Sequence, residues 1–265
     1  MRLEVKDAAV GYKNHRLAEG INMTSEPGMI TAILGPNGCG KTSFVKSLMG
    51  FLSWLSGGAF LDGVDMRTIS EKKRWQQVAY VSQQSSNVPY SVLDMVLLGR
   101  NPYKSLLSQP DANDQKQAEA ALDRVGMRSY SDTPYRILSA GQKQLVKIAR
   151  ALVGSQSLFI MDEPESGLDL KHSNLLLAIM KELCKDENKQ ILFITHSPEH
   201  ALMVADKTLL FLPQSQMSAK TVWGDTDCIV TVENLEKIYH VPLSIVRKDD
   251  FVGILQASGR LNREK

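Results

Sequence analysis

Residues 35–43 read GPNGCGKTS, which fits the phosphate-cradling pattern G-x-x-x-x-G-K-[ST]. Triphosphate oxygens need many donors and few side chains in the way. Gly35, Gly38 and Gly40 let the backbone fold close, so that successive N–H groups face the anion. Lys41 is placed to reach the β- and γ-phosphates, and the Thr42 hydroxyl to ligate Mg²⁺. A second chemical group stands at residues 157–163, SLFIMDE. A buried strand ending in two carboxylates delivers both to the C-terminal edge of a sheet, where ligands of open α/β folds sit. Asp162 is expected to hold Mg²⁺ through water, and Glu163 to orient or deprotonate an attacking water. A third group is LSAGQ at 138–142, where Ser139 is a good cap for the helix that follows. Such a helix end is a further anion site.

These groups need a scaffold of alternating strands and helices. Apolar runs bounded by turn residues occur at 29–34, 157–161, 190–195 and 207–212. Three of them lead into helical periodicity, the pattern of a sheet with crossover helices. The phosphate loop lies between the run 29–34 and an expected helix over 42–49, with Phe44, Val45 and Leu48 on one side. Leu175, Leu176, Ile179, Met180 and Leu183 form another one-sided stripe. Ser197, Pro198 and Glu199 supply the cap, the first-position proline and the first-turn carboxylate of a further helix. Between 91 and 152 the β-branched runs vanish. Ala118, Ala121, Leu122 and Val125 share a face with Gly126 as a stop, and Leu145, Ile148, Ala149 and Leu152 share another. The expectation is a single 1–265 unit: an α/β core over 1–90 and 153–213, an inserted helical subdomain over 91–152, and a C-terminal extension over 214–265. The first ten residues alternate like a strand. In the extension, 221–223 reads as a strand, 231–239 as a helix capped by Thr231, 243–246 as a last strand, and 257–265 as frayed.

The 265 residues suffice for a well-buried core, and 31 basic against 29 acidic side chains give a net charge of +2. No dense basic run points to nucleic acid. The densest cluster, Lys72, Lys73 and Arg74, reads as a solvated helix face. Cys39, Cys184 and Cys228 are odd in number and widely spaced, which fits neither a disulfide framework nor zinc. No apolar run approaches the ~20 residues that span a bilayer, so any membrane connection must come through a partner.

The phosphate loop, LSAGQ and SLFIMDE, in that order, resemble an ABC-type ATPase over nearly the whole chain. The resemblance implies a phosphate-loop NTPase core with an antiparallel β edge beside the inserted helices, binding ATP and Mg²⁺. It makes Gly35, Pro36, Asn37, Gly38, Cys39, Gly40, Lys41, Thr42 and Ser43 the ATP-contacting loop. Tyr12 in VGYKN resembles the aromatic that stacks on adenine. Gln83 in YVSQQ, with Gln84 as its rival, resembles the glutamine that links the nucleotide and its Mg²⁺ to a membrane partner. Asp169 in ESGLD resembles the D-loop aspartate, and His196 in FITHS the switch histidine at the γ-phosphate. Mg²⁺ would be shared by Thr42, Gln83 and Asp162. Lys41, Gln83, Glu163 and His196 would carry hydrolysis. The family also implies a head-to-tail homodimer, in which Ser139, Gly141, Gln142 and Asp169 of one copy complete the site of the other. Two departures stand out. Ala140 replaces the first signature glycine, which is harmless if that position is helical. Leu145 stands where many relatives carry arginine.

Length leaves no room for the coiled coil of DNA-repair relatives, and ribosome-acting relatives usually carry two cassettes. The segment 92–103, VLDMVLLGRNPY, resembles importer ATPases for iron chelates, haem and cobalamin, as does 231–246, TVENLEKIYHVPLSIV. The stripe Val92, Met95 and Val96 either packs in the core or borders a docking groove. The expectation is therefore an importer ATPase at the cytoplasmic side of the cell membrane. Its partners would be two polytopic permease subunits and, indirectly, a substrate-binding protein. A soluble ATPase of iron–sulfur cluster assembly is the alternative.

Overall fold

The computed structural model describes residues 1–13, 15–83, 88–105, 108–214, 217–249 and 251–256. A ten-stranded sheet runs in the order Val64–Asp65, Ser56–Leu61, Leu3–Tyr12, His15–Ser25, Met217–Asp225, Lys207–Gln214, Ile30–Leu34, Gln190–Ile194, Leu158–Asp162, Val78–Val81. The last five of these are mutually parallel, and the strands on the other side form the expected antiparallel edge. Strand Met217–Asp225 joins the two halves, antiparallel to Lys207–Gln214 and parallel to His15–Ser25.

Alternation along the central strands sends successive side chains to opposite faces. Phe159 and Met161 enter one apolar layer, Leu158 and Ile160 the other. Both faces are covered, which is why these strands read as continuous apolar runs. One layer holds the helices Val92–Leu97, Ala112–Arg124, Ala140–Leu152, Leu170–Lys185, Pro198–Val204 and Val232–Tyr239. The other holds the helix Lys41–Leu48, through Phe44, Val45 and Leu48, and the antiparallel strands.

Helix starts follow their caps. Ser91, Asp111 and Ser139 each close a reciprocal capping box, Ser197 accepts from the His200 N–H, and Thr231 accepts from the Asn234 N–H. Gly126, at φ 70°, follows the helix Ala112–Arg124. Several expectations change. Val92, Met95 and Val96 are at most 3% exposed, so that stripe is core. Arg74 is not solvated with Lys72 and Lys73: its guanidinium donates to the carbonyls of Met49 (2.8 Å), Met66 (3.0 Å) and Ile69 (3.3 Å). The piece expected at 221–223 extends to Met217–Asp225. The strand expected at 243–246 is Leu243–Lys248, and it is not the last: it pairs with Phe251–Gln256 in a separate hairpin. The expected fraying at 257–265, and the alternative Gln84, lie outside the described residues.

Candidate functional site

Adjacent parallel strands end at one edge of the sheet and deliver the candidate residues together. Ile30–Leu34 runs into the phosphate loop and the helix Lys41–Leu48. Leu158–Asp162 ends in the two carboxylates. Gln190–Ile194 leads to His196, and Val78–Val81 leads to Gln83.

Two glycines of the loop are required by geometry. A Cβ on Gly35 would lie 2.7 Å from Phe211 Cβ, at φ 150°. Gly40 caps the helix at φ 106°, a conformation open to glycine and closed to most side chains. Lys41 is buried and donates to the carbonyls of Gly35 (2.7 Å) and Pro36 (2.8 Å). Burial lowers its pKa, against the opposing pull of Cys39, Glu163 and Asp162. Cys39 is itself buried, and burial raises its thiol pKa.

Asp162 is 2% exposed and accepts a long bond from the Thr42 hydroxyl at 3.4 Å. Burial first, and then the neighbouring Glu163 charge, push its carboxyl up to about 6. Thr42, Gln83 and Asp162 line one cavity of about 180 Å³ together with Lys46, Phe51, Tyr80 and Ser82. Glu163 adopts φ 51°, a left-handed conformation that is uncommon away from glycine. Its N–H is bonded to the Ile194 carbonyl at 3.1 Å. One carboxylate oxygen accepts from the Gln83 amide at 2.6 Å, and the other pairs with His196 Nε2 at 2.7 Å. Gln83, Glu163 and His196 therefore form one continuous group.

The remaining candidates sit apart. Tyr12 is 55% exposed at the end of its strand, in register with His15. Ser139 and Gln142 cap their own helix reciprocally, and Asp169 caps Leu170–Lys185 through the His172 N–H. Among the described residues no hydrogen bond joins Ser139, Gly141, Gln142 or Asp169 to the phosphate loop. They lie near one another instead: a Cβ on Gly141 would fall 2.5 Å from the Gly167 carbonyl oxygen. Ala140 is exposed and in the first helical turn, the case in which alanine suits the backbone. Leu145 is 3% exposed, so an apolar residue fits there.

Sequence reasoning missed four residues. His15 and Arg16 line the cavity that borders Asn37, Gly38 and Cys39. Glu165 accepts a short hydrogen bond from the Thr195 hydroxyl, next to His196. Lys147 is buried and bonded to the main chain at Gln83. Only Lys147 gave a signal, as a lysine in an apolar helical row.

A mixed ten-stranded sheet, a glycine loop at a helix start and a carboxylate pair at the end of a strand two places along the sheet define a nucleotide-hydrolysing cassette. The ABC transporter family profile matches residues 18–166, and the chain belongs to that family as one of its ATP-binding, ATP-hydrolysing members. It is 37% identical over 238 residues to the manganese transport system ATP-binding protein MntA of Synechocystis, covering 88% of each chain. It is 31% identical over 246 residues to the iron(3+)-hydroxamate import ATP-binding protein FhuC of Bacillus subtilis, covering 92% of this chain and 90% of the relative. Among solved structures it is similar to an inward-facing ABC transporter described as of metal-chelate type, with TM-score 0.81, 30% identity and 96% of each chain covered. Among the described residues no helix is long and apolar enough to cross a membrane.

Proposed function

We propose that this chain is the ATPase subunit of an importer for a metal ion or its chelate, acting as a head-to-tail homodimer on two permease subunits. The observation that carries the catalytic part is the Glu163 carboxylate held between Gln83 and His196 at the strand end beside the phosphate loop. A carboxylate so fixed can orient a water and take its proton, while His196 and the Gln83 amide keep its two oxygens in place. Lys41 and the loop N–H groups would hold the phosphates, and Tyr12 the base. The donor set of Thr42, Asp162 and Gln83 is all oxygen when the amide presents its carbonyl, which suits Mg²⁺. Those three residues would hold the ion, which when bound offsets charge on the phosphate oxygens.

The signature residues of a second copy would complete the site. Ser139 and the Gly141 N–H stand at a helix start, where an anion is favoured. ATP would then stabilise the closed pair and its cleavage release it. In this reading the chain works as one ATPase unit, with 91–152 as the helical part that carries the signature. The cargo class is supported by relatives named for manganese and iron(3+)-hydroxamate. A substrate-binding protein would feed the permease, and the chain would sit at the cytoplasmic face of the membrane.

Glu163→Gln is expected to lower steady-state phosphate release by roughly 10²–10⁴-fold while ATP still binds. Near-parental turnover by the purified variant would remove Glu163 from the role. Uptake of radioactive manganese and of iron as a hydroxamate, in cells lacking this chain, tests the cargo. If neither uptake is impaired, the metal assignment fails.

A further inference from the structure

Lys147 is a cation where its helix gives no packing reason for one. Leu145, Val146, Ile148 and Ala149 are buried and apolar, and Lys147 itself is 3% exposed. An ammonium withdrawn from water is costly to fold unless it is paired. Among the described residues no carboxylate lies within salt-bridge distance of it. Burial, and then the like charge of Arg150, bring its pKa down to about 8. What it does make are two hydrogen bonds, to the carbonyls of Ser82 at 2.8 Å and Gln83 at 3.1 Å. A methionine would fill similar space without the desolvation. The lysine adds a two-point tether between the helix headed by Ser139 and the main chain that carries the Gln83 amide.

The same helix face makes a second connection. Gln144, one turn earlier, is buried and donates to the Pro164 carbonyl at 3.0 Å, directly after Glu163. The helix is thus bonded to both segments whose side chains meet in the 2.6 Å Gln83–Glu163 bond. The geometry points to Lys147 as a positioning residue for ATP hydrolysis: its tether fixes the Gln83 backbone against the signature helix, so that any displacement of that helix reaches the Gln83–Glu163 bond. At about 1.5 Å of rise per residue, Lys147 stands about 12 Å along the helix from the Ser139 end. The cap that would meet a partner's ATP and the tether at Gln83 therefore move as one rod. This role rests on the assignment of Glu163 above.

The test uses the full chain with ATP and magnesium, comparing Lys147→Met, Lys147→Arg, Gln83→Ala and the Lys147→Met/Gln83→Ala double variant, with Glu163→Gln as the reference for the site. Lys147→Met keeps the apolar stem and loses the donor. It is expected to lower kcat at least tenfold with KM for ATP within twofold and a thermal midpoint no lower than the parent's. Lys147→Arg should recover part of kcat. The double variant should be no slower than the slower single variant, because both changes break one connection. An inactive Glu163→Gln beside a Lys147→Met variant with kcat within twofold of the parent overturns the tether and leaves the site reading intact. Multiplicative losses in the double variant overturn it as well, as does a loss of kcat that comes with weakened ATP binding or a lowered thermal midpoint. An active Glu163→Gln instead removes the site reading on which the role depends.

Discussion

At the residue scale the site is governed by what burial does to charge. Asp162 is a carboxylate whose pKa is raised, the reverse of a salt-bridged acid. The folded chain therefore binds a proton more tightly than the unfolded chain between about pH 4 and pH 6. Stability contributed by that proton is complete below the unfolded value and is lost as pH rises through 6. Without nucleotide and with chelator present, Asp162→Asn is expected to stabilise the fold by roughly 1–3 kcal/mol at pH 8, and by much less at pH 4.5. Equal gains in thermal midpoint at both pH values would show that burial and the Glu163 charge are not the cause. Tyr12 is a different case, since its exposure means that folding asks little of it. Tyr12→Ala is expected to leave stability within about 0.5 kcal/mol and to weaken ATP by roughly 1–3 kcal/mol, the worth of one stacked base. Calorimetry with ATP checks it, and an unchanged dissociation constant would reduce Tyr12 to a surface aromatic.

At the scale of elements, the segment GRNPY is a clasp for the helical region. Arg100 donates from Nε to Asp114 at 2.9 Å and from Nη1 to the Val153 carbonyl at 3.2 Å, and its guanidinium lies 5.1 Å from the Tyr103 ring. Asp114, 1% exposed, also meets the Lys104 ammonium at 2.5 Å. The Lys104 contact is the largest cause holding its carboxyl well below the usual range. The Arg100–Asp114 pair so joins the turn 98–103, the start of the helix Ala112–Arg124 and, through the Val153 carbonyl, the end of the helix Ala140–Leu152. Asp114→Asn leaves Arg100 without its countercharge inside the protein and is expected to cost roughly 2–4 kcal/mol. Because the acid's pKa is depressed, the parent's advantage is present above about pH 4 and fades as pH falls below it. Denaturant titration of both proteins at pH 7 and at about pH 2 measures this, because the loss completes only as pH falls toward the depressed folded value, and a gap undiminished at about pH 2 would contradict the ion-pair account. The residues of this clasp stand out in the sequence as a motif, yet its partner Asp114 does not. It looks like an ordinary first-turn helix acid until the fold closes around it.

At the scale of the whole molecule, the signature residues and the phosphate loop of one copy do not meet. Ser139 and Asp169 spend their side chains on their own helix caps. The Leu170 side chain beside Asp169 is 78% exposed. A second copy is the source of the missing contacts in the proposed mechanism. Glu163→Gln, which should hold ATP without cleaving it, is therefore expected to sediment as a dimer with ATP and magnesium and as a monomer with ADP. A monomer under both conditions would remove the two-copy site.

The glycines of the phosphate loop, the capping residues and the alternation of buried strands with helical stripes were legible in the sequence. Each is set by neighbours a few residues away, where period, cap chemistry and positive φ leave a local mark. The antiparallel strands His15–Ser25, Ser56–Leu61 and Phe251–Gln256 were harder to read. Their polar and apolar residues are mixed by one-sided burial, irregular register and exposed faces. The Gln83–Glu163–His196 group was visible only as three separate residue types, 80 and 33 positions apart. Strand order brings them to one edge, and the left-handed turn at Glu163 sets the geometry in which one carboxylate meets both partners. Lys147 shows the same division. A lysine in an apolar row marks something unusual, but only packing of its helix against the end of strand Val78–Val81 decides which carbonyls it holds.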